Sequence, residues 1–165
     1  MKKRVGILMT IIFIVIIIII ILLLVIPPPR NNCTKIGILL DNLHDDVSKA
    51  WNSEKDNFEF QGTLPKEIKY ICFVDFSKDN FTGPHESDDI SKNIKILKNT
   101  ECEGESCNLI IFPIENTCNI ANDNIPHIDI EKITQSENPY CISVKKGEII
   151  FQIKKDLGER LVNII

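Results

Sequence analysis

Val5–Ile26 is a run of isoleucine, leucine and valine without a single charge, and it constrains everything else the chain can do. At 1.5 Å per residue it makes a helix of about 33 Å, enough to cross a hydrocarbon core of about 30 Å. Only Gly6 and Thr10 interrupt its apolar character. Isoleucine is a mediocre helix former in water, but in lipid an unpaired backbone amide costs so much that the helix forms regardless. A buried helix of a water-soluble core would be shorter and would show a polar face. The run is therefore expected to be a transmembrane helix over residues 5–26.

Its ends are marked on both sides. Residues 1–4 form a basic tail through Lys2, Lys3 and Arg4, and Pro27-Pro28-Pro29 follows the apolar run. Proline lacks the amide donor and drives the preceding residue out of helical geometry, so the helix stops near Ile26. Consecutive prolines favour an extended spacer, assigned to residues 27–34. The basic tail is expected to stay in the cytoplasm, which places the C-terminal part outside, with the membrane as its integral partner through one span. The apolar core exceeds the 7–15 residues of a cleaved leader, and no small-x-small site precedes Pro27. An uncleaved signal anchor is expected.

Residues 35–165 are long enough for one exported domain with its own core. The whole chain carries a net charge of −4, and setting aside Lys2, Lys3 and Arg4 leaves −7 on the remainder. An acidic exterior argues against nucleic acid and against adhesion to anionic lipid. All six cysteines, Cys33, Cys72, Cys102, Cys107, Cys118 and Cys141, fall in the exported part. An even count outside a reducing compartment reads as disulfides, with the pairing left open. The alternative is zinc: Cys102 and Cys107 are spaced as ligands can be, and Cys118 and Cys141 would complete a four-thiolate set. The acidic surroundings disfavour the thiolate that a metal needs. The same topology exposes two glycosylation sequons, at Asn32 and Asn80.

Hydrophobic periodicity outlines the domain. Ile36, Leu39, Leu40, Leu43, Val47, Ala50 and Trp51 recur at steps of three and four, which gives an amphipathic helix over 35–52 with Trp51 in the core. The period changes to two at Phe58 and Phe60, and Gly62–Pro65 makes a turn. Glu67–Phe76 is apolar on both faces, as expected of a central strand. Ser87 heads a helix over 87–98 with Asp88 and Asp89 at its positive end. Asn108–Phe112 is another apolar strand. The stretch 115–139 has no sustained period, with a brief strand or helical turn at Ile128–Ile130. Cys141–Lys145 and Glu148–Lys154 flank Lys146-Gly147 as a hairpin, and Arg160–Ile165 returns as a last strand. Lys145 and Lys154 suit a sheet edge exposed to water. The expected fold is an exported α+β domain, mainly antiparallel and sandwich-like, with one or two packed helices.

No nucleophile motif, P-loop or dinucleotide fingerprint is present. His44, His85 and His127 each stand near carboxylates and are the candidate ligands of a metal-dependent ectoenzyme, although none has the helical His spacing of a metalloprotease. Glu101, Glu103 and Glu105 form an acidic loop without the ligand alternation of a calcium site. No catalytic residue, metal ligand or cofactor is expected.

Three stretches carry a resemblance: Lys49-Ala-Trp51-Asn at the end of the first helix, Leu64–Asp75, and Asn138-Pro-Tyr-Cys141. Together they resemble small uncharacterised single-pass membrane proteins of poorly studied archaeal lineages with Ile-, Lys- and Asn-rich genomes. That resemblance implies a cell-surface location and brings no activity. The basic N-terminus, Gly6 and the apolar helix also resemble pilin-like subunits. The chain departs from that pattern at Val5, in lacking a glutamate soon after Gly6, and in the three prolines. The leading expectation is a membrane-anchored, disulfide-stabilised domain with a binding or structural role at the cell surface and no catalysis. The alternatives are a pilin-like filament subunit and a metal-dependent ectoenzyme.

Overall fold

The longest helix among the described residues and the cysteines organise the domain. The computed structural model describes residues 32–78, 81–84, 89–102 and 107–165. The expected span at 5–26, the basic tail and most of the spacer lie outside the described residues, as do Asn80, His85, Ser87, Glu103 and Glu105. No helix among the described residues is long and apolar enough to cross a membrane.

Helix α1 runs over Asn32–Asn52, three residues earlier than the periodicity indicates, so the end of the expected spacer is helical. Cys33 is bonded to Cys118, which holds the first turn of α1 onto the domain. The apolar face is as expected: Ile36, Leu39, Leu40, Leu43, Val47 and Ala50 are all buried. The following elements are β1 (Asp56–Thr63), β2 (Tyr70–Phe73), α2 (Asp89–Thr100) and β3 (Leu109–Phe112). After a 3-10 turn at Ile114–Asn116 come β4 (Asn122–Asp123), α3 (Ile130–Ile133), β5 (Tyr140–Ser143), β6 (Glu148–Lys155) and β7 (Asn163–Ile164). The result is an α+β fold with antiparallel sheets, as expected.

The strands divide into two sheets, ordered β1-β6-β7 and β4-β3-β2-β5. Alternation along each strand decides what each face touches. Phe60, Ile149, Phe151 and Ile153 of the first sheet join α1 and the Ile71, Phe73, Leu109 and Ile111 face of the second in one core. Phe73 meets Phe151 edge-on, with ring centroids 6.3 Å apart. The other face of the second sheet, with Cys72, Val74, Ile110 and Phe112, packs under Ile94 and Leu97 of α2. Strand β2 is thus central and buried on both faces, as its sequence requires. It is shorter than Glu67–Phe76 because Ile68 closes a turn onto Pro65, although Lys69 and Val74 still donate to Phe112 and Asn108.

The closing hairpin is corrected. Lys146 and Gly147 do reverse the chain with positive φ of 57° and 85°. Only Lys145 and Glu148 bridge across that turn, after which β5 pairs with β2 and β6 with β1 and β7. A turn signal fixes a change of direction and leaves the later neighbours open. Cys141, bonded to Cys72 on β2, settles them for β5. Strand β6 is therefore internal to its sheet rather than an edge. Its Lys154 lies on the outer face, 2.9 Å from Asp156.

Lys155 points the other way and is 8 % exposed. Its Nζ donates to the carbonyls of Trp51 and Ser53, the latter at 2.8 Å, at the C-terminal end of α1. A helix leaves its last carbonyls unpaired and carries partial negative charge there, so a buried ammonium is held without a carboxylate. Lys155→Met keeps the apolar stem and removes the cap. It is expected to cost about 1–2 kcal/mol of unfolding free energy, read by urea denaturation.

Candidate functional site

Each cysteine has a cysteine partner, and no cysteine is free. Cys33–Cys118 ties α1 to the turn after the 3-10 segment, and Cys102–Cys107 closes the end of α2 onto β3. Cys72 and Cys141 lie directly opposite one another on β2 and β5. Val144 N–H donates to Lys69 O. Since hydrogen-bonded pairs alternate along an antiparallel ladder, 72 and 141 occupy a non-hydrogen-bonded position, where side chains approach closest. The four-thiolate zinc set of Cys102, Cys107, Cys118 and Cys141 does not assemble, because these residues bond within three separate pairs.

The two described histidines, His44 and His127, have different partners. His44 Nε2 on α1 sits 3.0 Å from Asp123 Oδ2 on β4. His127, in left-handed conformation at φ 67°, lays its ring flat on Trp51, with centroids 3.7 Å apart and planes 6° apart. Trp51 follows His44 by two turns of α1, so the two imidazoles are roughly 10 Å apart along the helix and serve different partners. Among the described residues no three His, Cys, Asp or Glu side chains gather to hold a metal. Glu101 accepts from Asn122 Nδ2 at 2.7 Å. Asn32 is exposed at the first residue of α1.

Trp51 is a correction. It was expected in the core, but it is 38 % exposed. It lies at the margin of the apolar stripe, in the last turn of α1, where it meets His127 rather than the core. It lines an open cleft with His127, Arg160 and Leu161. Exposed Leu157 lines an adjoining cleft that also reaches Trp51. This is an aromatic surface with a guanidinium beside it, suited to flat apolar and anionic groups. His127→Ala is expected to cost about 1 kcal/mol and to shift the emission of Trp51 to the red. Trp51 is the chain's single tryptophan, so fluorescence reads this surface alone.

Sequence reasoning missed a second cluster. Asp75, 5 % exposed, lines a cleft of about 430 Å³ with Ser77, Lys78, Asn108 and Glu131. Asp75 Oδ1 accepts from Ser77 N–H at 3.0 Å and Ser77 Oγ at 2.6 Å, while Oδ2 lies 3.2 Å from Lys78 Nζ. Lys78 Nζ also donates to Thr134 Oγ1 at 3.3 Å. Burial alone would push the Asp75 carboxyl up, but the hydrogen bonds from Ser77 and Lys78 and the ammonium charge together hold it below the usual carboxylate range. A depressed folded-state value contributes stability above the unfolded-state value, and that contribution is lost as pH falls through the folded value. The gap in stability between wild type and Asp75→Asn is therefore expected to be full at neutral pH and to close in acid, as read by denaturant titrations at both. The signal was the short string Asp75-Phe-Ser77-Lys78, an Asx-type turn.

These contacts define a disulfide-stabilised α+β domain of extracellular type. No family model matches the sequence, and no match is found among curated proteins or solved structures.

Proposed function

We propose that this chain is a membrane-anchored extracytoplasmic domain with a binding or structural role at the cell surface, without catalysis. The observation that carries the reading is the closure of all six cysteines into three disulfides. Cytosolic thiols are kept reduced, whereas such pairs form and persist outside. The apolar run 5–26 supplies the anchor, and the basic residues before it set the orientation. A non-catalytic role is supported by how the polar side chains are engaged. Asp75 is committed to its own turn and His127 to the face of Trp51.

The test is the sidedness of the C-terminus. With an epitope appended after Ile165, antibody is expected to label intact cells, and alkaline carbonate is expected to leave the protein in the membrane fraction. Labelling only after permeabilisation would overturn the reading.

A further inference from the structure

Three of the four sheet edges are short: β4 and β7 have two residues each and β5 four. The fourth edge, β1, has eight residues in unbroken register with β6, and contains no proline, lysine or bulge. Natural sheets protect long edges with such devices, because free amides and carbonyls template pairing with another strand. Leu64 N–H donates to Gly147 O at 2.8 Å, one step beyond the Thr63–Glu148 pair. By alternation Gly62, Phe60, Phe58 and Asp56 exchange bonds with β6, and the backbone groups of Asn57, Glu59, Gln61 and Thr63 point away from it. Asn57 N–H is taken by Asp56 Oδ1 at 2.9 Å. The others have no partner among the described residues, and all four residues are exposed.

We propose that two copies of this chain pair antiparallel through β1, about a two-fold axis at Phe60, joining two three-stranded sheets into one. The register follows from the residues. An axis at Glu59 would set the two Glu59 carboxylates face to face, which is repulsive. An axis at Gln61 would bring Asn57 opposite Pro65, which has no amide to donate. An axis at Phe60 places Asn57 against Thr63 and Glu59 against Gln61, so every outward backbone group has a partner once Asn57 N–H exchanges Asp56 Oδ1 for the Thr63 carbonyl of the mate, and no like charges are directly opposed. It also sets half-buried Phe58 beside Gly62 of the mate, next to the Leu39 side chain that lies over that glycine.

The test is the dimer dissociation constant of the full chain in detergent, by sedimentation, for wild type and two surface variants. Gln61→Glu sets a second carboxylate opposite Glu59 twice by symmetry, and is expected to weaken the dimer about tenfold. Gln61→Lys sets an ammonium there and is expected to tighten it by a similar factor. Gln61 is exposed, so at concentrations where the monomer predominates both variants are expected to keep the wild-type melting temperature. A wild-type monomer at every concentration, as expected if the edge takes a different protein, overturns the proposal. So does a dimer that ignores residue 61, as one held by the apolar N-terminal run would.

Discussion

Full reduction of the three disulfides is expected to unfold residues 32–165 at physiological temperature. Cys33–Cys118 closes a sequence separation of 85 residues and Cys72–Cys141 one of 69. In the chain-entropy account each loop of that size restricts the unfolded state by about 4 kcal/mol. Cys102–Cys107 spans only five residues and constrains far less. The two long loops overlap, so their effects do not simply add, but either is a large share of a net stability of about 5–15 kcal/mol. Melting followed by Trp51 fluorescence, with and without a strong reductant, checks this. Cys102→Ala with Cys107→Ala is expected to retain a cooperative transition, whereas Cys33→Ala with Cys118→Ala is expected to lose most of the stability. A reduced protein that melts near the oxidised one would mean that the apolar cores suffice by themselves.

Asn138→Ala is expected to be the most damaging single truncation of a polar side chain. Asn138 is 1 % exposed, and its amide makes a reciprocal pair with one residue's backbone. Asp75 N–H donates to Asn138 Oδ1 and Asn138 Nδ2 donates to Asp75 O, both at 3.0 Å. Alanine strands the buried Asp75 N–H, at about 1–3 kcal/mol, and leaves Asp75 O with only the longer bond from Lys78 N–H at 3.4 Å. The backbone carbonyl of Asn138 also accepts from Thr82 N–H at 2.8 Å, a bond that alanine keeps. A total of about 2–3 kcal/mol is expected from urea denaturation. Asn138→Asp keeps the acceptor but turns an oxygen toward Asp75 O, so it is expected to be no better at neutral pH and to recover in acid. A loss under 1 kcal/mol for Asn138→Ala would show that water replaces the amide.

The contrast between what the sequence disclosed and what it concealed follows contact range. The buried face of α1, the strand Leu109–Phe112 and the cross-linked state of the cysteines were legible, because periodicity and cysteine count are local or compositional. The assignment of each strand to one sheet or the other was not. Cys141–Lys145 and Glu148–Lys154 alternate convincingly on either side of a Gly turn, yet their partners lie far away in the chain. Asn138 acts on Asp75 across 63 residues, and no local pattern announces such a bond. Trp51 was misplaced for a related reason: its spacing fits the apolar stripe, but the indole stacks on His127, a residue far along the chain.

The central claim is an oxidised, outward-facing domain, and its most direct measurement is made on protein taken from membranes under acid quench. Intact mass is recorded after alkylation without reduction, and again after reduction, with a peptide map of the linked cysteines. The account predicts no alkylation before reduction and six additions after it, with Cys33 joined to Cys118, Cys72 to Cys141 and Cys102 to Cys107. Free thiols in the native protein would contradict it, and would place the domain in a reducing compartment.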